Sequence, residues 1–172
     1  MEIHRFEKLW LVASLLLIAG FVATIVYGAV GAGVAMVDNS GGQVDASDPT
    51  ASPDFRDPGV YQTGDGEYDV YVVARQFSFT PGSGTPIRVP EGSEVTFHIA
   101  SRDVTHGFNV VGTNLNTMVI PGQVAQLTVE FDEARSFHVA CNEYCGAAHH
   151  DMTGTIEVVP AEDFDESEVA EA

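Results

Sequence analysis

No charged residue occurs between Lys8 and Asp38, a stretch of 29 residues dominated by Ala, Val and Leu. A membrane-spanning helix needs about 20 apolar residues, whereas the apolar core of a cleaved signal peptide is only about 7–15 residues long. The run therefore predicts an uncleaved transmembrane anchor, which we place in residues 1–37. Basic residues precede the run at Arg5 and Lys8, and none follows it before Arg56. The positive-inside rule then places the N-terminus in the cytoplasm and the rest of the chain outside the membrane.

The net charge lies entirely on the part of the chain that follows this anchor. Residues 1–37 contain two acidic and two basic residues, so the whole charge of −18 belongs to residues 38–172. So acidic a surface repels nucleic acid and anionic lipid headgroups, which excludes both as partners of the outer domain. At molar salt the Debye length falls to about 3 Å, which screens the self-repulsion. The composition therefore indicates a halophilic source; the alternative is an ordinary protein with an acidic surface.

Composition also divides the outer part into three segments. Residues 38–60 are rich in Asp, Ser, Gly and Pro and show no periodicity, which is typical of a linker. The last twelve residues, 161–172, contain six acidic side chains and predict a solvated acidic tail. Residues 61–160 remain as the folded domain.

Within that domain, short runs alternate between apolar and polar residues with a period of two, which is typical of β-strands. Pro-Gly pairs at 81–82 and 121–122 provide turn signals between them. Strands at this spacing, without an amphipathic helix, predict a β-sandwich or barrel. The runs are residues 68–73, 94–100, 107–111, 124–131, 135–140 and 153–159.

The phase of the alternation separates the histidines into two groups. His98 and His138 have the opposite phase to the apolar residues of their strands, so we expect both to face solvent. His4 stands at the membrane boundary and has no evident partner. The histidines left as candidates for a functional site are His106, His149 and His150.

Residues 141–152 carry a concentration of soft and borderline metal ligands. The segment reads CNEYCGAAHHDM and supplies two thiols, an imidazole and a thioether within twelve residues. Such donors favour copper or zinc over magnesium or calcium. A loop between two strands can wrap a metal, and His106 can add an upstream imidazole from another part of the sandwich.

Three simpler interpretations of this segment compete. A disulfide between Cys141 and Cys145 is plausible outside the membrane. Zinc is less suitable because structural zinc sites use Cys and His, and Met152 is a poor zinc ligand. A single blue copper uses two His, one Cys and a long axial Met, which leaves one cysteine over. The spare thiolate favours two copper ions bridged by two sulfurs.

At these residues the chain resembles subunit II of the haem-copper cytochrome oxidases. The motif Cys-x₃-Cys-x₃-His-x₂-Met stands at residues 141–152, and the sequence DVTHGF at 103–108 matches the upstream ligand loop. The resemblance runs over residues 60–160, and the single membrane helix is similar to the small subunit II of the B-type oxidases. It implies an all-β, cupredoxin-like Greek-key sandwich or barrel carrying the binuclear copper centre called copper A.

The resemblance also implies a role for each candidate ligand. Two cysteines become bridging thiolates, two histidines become terminal ligands, and a thioether and one backbone carbonyl become weak ligands. In that order these residues are Cys141 and Cys145, His106 and His149, Met152 and Glu143.

The roles of His150 and of the Glu143 side chain are less direct. His150 does not fit the motif's spacing and is not expected to bind copper. In many members of the family the side chain at the position of Glu143 also reaches a magnesium ion at the boundary with subunit I, which would be a second metal. B-type members often lack this acid.

The function implied by the resemblance is electron relay by a subunit of an oxygen-reducing enzyme. Electrons would enter from a soluble carrier, either a cytochrome c or a small blue-copper protein, and pass to haem in subunit I, where oxygen is reduced to water. A different interpretation is a membrane-anchored cupredoxin that carries electrons alone or delivers copper. The intact ligand set excludes the ligand-less subunit II of quinol oxidases.

Overall fold

The computed structural model describes residues 4–30, 37–38, 41–165 and 169–170 of the chain. It divides the chain into two compact units, Met1–Val34 and Ala35–Ala172. The first contains helix α1, Arg5–Val30, of which Arg5–Tyr27 is long and apolar enough to cross a membrane. Its apolar side chains between Phe6 and Tyr27 are exposed, as expected of a helix whose solvent is lipid.

The second unit is a β-sandwich. Among the described residues its strands are β1 Val37–Asp38, β2 Gly59–Gly64, β3 Glu67–Arg75, β4 Ser78–Thr80, β5 Ile87–Pro90, β6 Glu94–Ser101, β7 His106–Val110, β8 Asn116–Val119, β9 Val124–Glu130, β10 Ser136–Ala140 and β11 Thr153–Val159.

Two sheets form the sandwich. The first has the order β1-β9-β6-β3-β2, with β4 also paired to β3, and the second has the order β5-β11-β10-β7-β8. Most neighbours are antiparallel, but β3 with β6 and β5 with β11 are parallel. This arrangement confirms the predicted all-β fold with one N-terminal helix.

The core between the sheets is built from the alternating apolar positions. Val95, Phe97 and Ile99 on β6 are all fully buried, and the ring of Phe97 lies 5.8 Å from that of Phe108 on β7. Burying one such side chain contributes about 1.5–3 kcal/mol. All six predicted strands are present. Alternation places the apolar side chains of a strand on one face, and burying that face stabilises the strand.

The face of β6 that points away from this core is also covered, which corrects one prediction. The ring of His98 stacks on Tyr71 at 4.5 Å, and its side chain is only 15% exposed. The expectation that His98 faces solvent is therefore wrong, whereas His138 is exposed as predicted. Phe55, within the segment predicted as a linker, is 3% exposed and packs edge-on against Tyr71.

The predicted acidic tail also contacts the domain. The ring of Phe164 packs edge-on against Tyr68 at 5.6 Å, and the backbone N–H of Ala170 donates to the carbonyl of Val60 at 2.8 Å. The tail is thus not wholly solvated, because its apolar residues bury surface on the sandwich. The division into anchor 1–37, linker 38–60, domain 61–160 and tail 161–172 stays a prediction.

Candidate metal centre

His106 begins β7 and is the upstream member of the predicted ligand set. Its side chain is fully buried, and its Nε2 lies 2.7 Å from Oδ1 of Asp103. The carboxylate of Asp103 also accepts backbone N–H groups from Gln76 and Val104, each at 2.7 Å. A carboxylate can only accept, so Nε2 of His106 carries the hydrogen and Nδ1 keeps its lone pair for a metal.

These contacts also explain the ionisation of Asp103. Burial acts to raise the pKa of this carboxyl, but the hydrogen bonds from Gln76, His106 and Val104 outweigh it, so the pKa lies below the ordinary value. Asp103 is therefore charged at neutral pH and acts as a permanent acceptor for His106.

The two cysteines lie side by side at the centre of the cluster. Both are free and buried, and their Sγ atoms are 3.8 Å apart. A disulfide requires about 2.05 Å, so the structure does not support the disulfide interpretation. Burial, followed by the hydrogen bond and charge of Cys141, raises the pKa of the Cys145 thiol to about 11.

Each cysteine has its own imidazole neighbour. Nδ1 of His106 lies 3.9 Å from Sγ of Cys141, and Nδ1 of His149 lies 3.6 Å from Sγ of Cys145. The two histidines therefore lie beside different sulfurs, although His106 comes from a strand 35 residues before Cys141.

The remaining predicted ligands lie against the same sulfurs. Sδ of Met152, a residue only 1% exposed, is 3.7 Å from Sγ of Cys145. The carbonyl oxygen of Glu143 is 3.2 Å from Sγ of Cys141. The structure thus brings together all six residues that the sequence singled out.

His150 lies outside this cluster. Its side chain is 76% exposed and pairs with Asp151 at 3.3 Å. Its neighbour in sequence, His149, instead turns towards Cys145 in the short 3₁₀ turn His149–Asp151. The structure therefore places His149, and not His150, beside a cysteine sulfur; that His150 does not bind copper stays a prediction.

The donor chemistry of the cluster fits copper. The ligand atoms of His106, Cys141 and Cys145 lie within 4.8 Å of one another, and all three residues are buried. Two sulfurs, imidazole nitrogens and a thioether are ligands for copper or zinc, and they are poor ligands for magnesium or calcium. A buried set of this kind would also keep water away from a bound metal.

Glu143 also lines a surface cavity of about 300 Å³, together with residues of β8, β9 and the loop after β10. Asn142 fixes this loop, because its amide donates to Oδ1 of Asn116 at 3.0 Å. The residues lining the cavity are Asn116, Thr117, Met118, Ile120, Gln123, Val124, Ala125, Asn142 and Glu143.

Several residues around the centre are not identifiable as functional from sequence. Asp103 stands there only as part of a motif, and the backbone N–H of Gly107 donates to Sγ of Cys141 at 3.5 Å. Gln76 contacts both ligand loops from the turn after β3. No local pattern marks Gln76, because it acts through contacts that form only in the folded domain.

Comparisons with known proteins agree with this geometry. The family described as "Cytochrome C oxidase subunit II, periplasmic domain" matches residues 65–159. A cytochrome c oxidase subunit 2 of Thermus thermophilus is 39% identical over 161 residues, which cover 91% of this chain and 93% of that protein. A second Thermus thermophilus subunit 2 sequence is 43% identical over 122 residues, covering 68% of this chain and 88% of the relative.

Solved structures agree at two levels. A chain in the cryo-EM structure of a heme-copper terminal oxidase dimer superposes with a TM-score of 0.70 at 35% identity, covering 90% of this chain and 99% of that one. The periplasmic domain of cytochrome oxidase subunit II from Bradyrhizobium japonicum has a TM-score of 0.50 at 19% identity, covering 56% of this chain and 86% of that one. The latter similarity concerns the fold alone. Together with the family match, these similarities establish that the chain belongs to the cytochrome c oxidase subunit II family, the electron-transfer subunits of haem-copper oxidases.

Proposed function

We propose that the buried cluster holds two copper ions and relays electrons. The observation that carries the proposal is the pair of sulfurs 3.8 Å apart, each with its own imidazole neighbour. A single blue copper uses one cysteine and would leave the other unused, and a zinc ion bound by two cysteines and two histidines would leave the Met152 thioether without a role. Two copper ions can share both sulfurs and also use the thioether. Cys141 and Cys145 then bridge, and His106 and His149 are the terminal ligands.

Two weaker ligands complete the proposed set. Met152 lies against Cys145 and the carbonyl of Glu143 lies against Cys141, so each end of the cluster has one additional soft or neutral donor. With two copper ions bound, the centre takes up and gives back one electron. A rigid ligand set favours this exchange, because the same geometry serves both oxidation states.

The protein holds these donor atoms in fixed positions and shields them from water. Cys141 and Met152 are tied together by the hydrogen bond from the backbone N–H of Cys141 to the carbonyl of Met152, at 3.1 Å. Asp103 holds the ring of His106 in one tautomer. These contacts keep the donors close together before any metal binds, which lowers the cost of assembling the site.

We further propose the direction of electron flow and the partners. A soluble carrier, either a cytochrome c or a small blue-copper protein, delivers electrons outside the membrane, and this subunit passes them to haem in subunit I, where oxygen is reduced to water. Arg5 and Lys8 before the apolar run support a cytoplasmic N-terminus and an outer β domain.

We propose a magnesium ion only at the assembled boundary with subunit I. Glu143 is the only carboxylate among the residues that line the surface cavity described above, and Mg²⁺ prefers octahedral coordination by oxygen ligands. The chain by itself therefore binds copper, and a magnesium ion would need further ligands from the partner subunit.

The experiment that tests the relay function is purification of the full chain from its native membrane. We expect haem-containing subunit I to co-purify. Metal analysis of this chain after its separation from subunit I should give two coppers per chain, with a mixed-valence electron paramagnetic resonance spectrum. One copper or one zinc per chain would contradict the binuclear centre. A copper-loaded chain that purifies without haem would instead favour the membrane-anchored cupredoxin that stores copper, delivers it or carries electrons alone.

A further inference from the structure

Gln76 lies in the turn between β3 and β4, far from every ligand in the sequence and next to two of the ligand loops in space. A Cβ built on Gly146 would stand 2.7 Å from Nε2 of Gln76 and 3.1 Å from the ring of Phe77. The first distance is shorter than real Cβ atoms show, and the second is tighter than most real Cβ contacts. The turn is therefore packed directly against the loop that carries Cys145.

The backbone of Gln76 reaches the histidine half of the centre. Its N–H donates to Oδ2 of Asp103 at 2.7 Å, and Oδ1 of the same carboxylate accepts from Nε2 of His106 at 2.7 Å. Through one carboxylate, the position of this turn is coupled to the orientation of the imidazole.

The side chain of Gln76 reaches the cysteine half. Its amide Nε2 donates to the carbonyl oxygen of Cys145, a residue 69 positions later in the chain. Gly146, which follows, has a φ of +136°, and its missing Cβ leaves the space that the Gln76 amide occupies. The glycine and the glutamine are thus complementary parts of one contact.

We infer that Gln76 is a positioning residue. From one turn it fixes the position of His106, through Asp103, relative to that of Cys145. The inference rests on the proposed binuclear copper centre and deepens it. The carboxamide also places the positive end of an N–H dipole beside the peptide of Cys145. Because the reduced centre carries one more electron, this dipole stabilises the reduced state and raises the reduction potential.

The test uses the full chain in detergent, with a matched control. Gln76→Ala removes the amide, and Gln76→Glu keeps its shape but loses the donor. Gln62→Ala is the control, because Gln62 is also exposed and also donates its amide to a backbone carbonyl, that of Gly64 at 3.2 Å. Each protein is loaded with copper, and the reduction potential, the absorption spectrum and the rate of copper release to a cuprous chelator are measured.

We expect Gln76→Ala and Gln76→Glu to lower the reduction potential and to release copper about tenfold faster than the parent chain, within the usual effect of residues that orient metal ligands. Gln62→Ala should match the parent. A potential and a release rate unchanged in both Gln76 variants would overturn the inference. A lowered melting temperature with an unchanged reduction potential would also overturn it, because that result is expected of a contact that only stabilises the fold.

A readout on the copper-free chain separates this inference from the proposed function. Alkylation of Cys145 by iodoacetamide should be several-fold faster in Gln76→Ala than in Gln62→Ala, because the amide that packs against the Cys145–Gly146 peptide is gone. Equal rates would count against the positioning role. If the parent chain takes up fewer than two coppers, the proposed function is contradicted. The alkylation rates then test by themselves whether Gln76 positions Cys145.

Discussion

Nε2 of His106 and Oδ1 of Asp103 are 2.7 Å apart, and the histidine is fully buried while the carboxylate remains 30% exposed. Two backbone N–H groups donate to this carboxylate, and the carboxylate orients the buried imidazole. Asp103 thereby connects the surface of the domain to the upstream ligand of its buried centre.

Replacing this carboxylate should weaken the centre without unfolding the domain. We expect Asp103→Asn to lower copper affinity about 10–100-fold, because an amide can also donate and no longer fixes one tautomer of His106. The reduction potential should rise, since the imidazole becomes a poorer electron donor. Competition with a chelator and redox titration measure both effects. Asp65→Asn, in the exposed turn after β2, is the control, and equal affinities in the two variants would contradict the role of Asp103.

The ligands should differ in how much the centre depends on them. Met152→Leu keeps an apolar side chain of similar volume and removes only a weak donor, so the binuclear spectrum should survive with a raised reduction potential. His106→Ala and Cys145→Ser should lose that spectrum. Electron paramagnetic resonance of the loaded variants distinguishes these cases.

The exposed His150 supplies the control for that series. His150→Ala should leave the copper content and the spectrum unchanged, because its side chain is 76% exposed and turned to Asp151. Loss of the centre in His150→Ala together with its survival in His149→Ala would reverse the ligand assignment.

Copper loading should become tighter as pH rises. The pKa of the Cys145 thiol is raised to about 11, so the copper-free protein carries this thiol in its protonated form at neutral pH. Binding needs the thiolate and therefore releases the proton. Below the pKa, apparent affinity should fall about tenfold per unit of decreasing pH for each proton released. Chelator competition between about pH 6 and 9 measures the slope, and an affinity independent of pH would refute a protonated Cys145.

The C-terminal segment should contribute to stability. Phe164 packs on Tyr68 and is only half-buried, so Phe164→Ala should lower the free energy of unfolding by about 1–2 kcal/mol, less than the cost for a fully buried phenylalanine. Urea unfolding of the full chain measures the change. Glu162→Ala, an exposed neighbour, should be neutral, and equal stability of the two variants would mean that the tail does not stabilise the sandwich.

Salt should stabilise the domain. The charge of −18 lies on residues 38–172, and lowering the salt lengthens the screening distance to about 30 Å at 0.01 M, so nearly all the acids then repel one another. The melting temperature of the full chain in neutral detergent should rise between about 0.01 and 3 M potassium chloride. A melting temperature that is flat or falls with salt would refute the halophilic interpretation and leave the copper centre untouched.

The features that could be predicted from sequence are those encoded over short distances along the chain. The apolar run predicts its helix because its length alone matches a membrane. The strands follow from local alternation, as on β6, where burial of Val95, Phe97 and Ile99 depends on their phase. Cys141, Cys145, His149 and Met152 lie in one loop, so their spacing alone was enough to place them together.

Other features were decided by the tertiary structure alone, because they depend on which distant segments pack against each other. His98 has the phase of an outward residue, yet Phe55 and Tyr71 cover that face, and alternation cannot report what lies beyond a strand. The strands β4, β5 and β8 have only three or four residues each, too few for a period to be recognised. In β2 the apolar residues Val60 and Tyr61 are adjacent and do not alternate with polar ones. Gln76 acts on Cys145 across 69 positions, and the approach of the two residues arises only when both sheets close around one core.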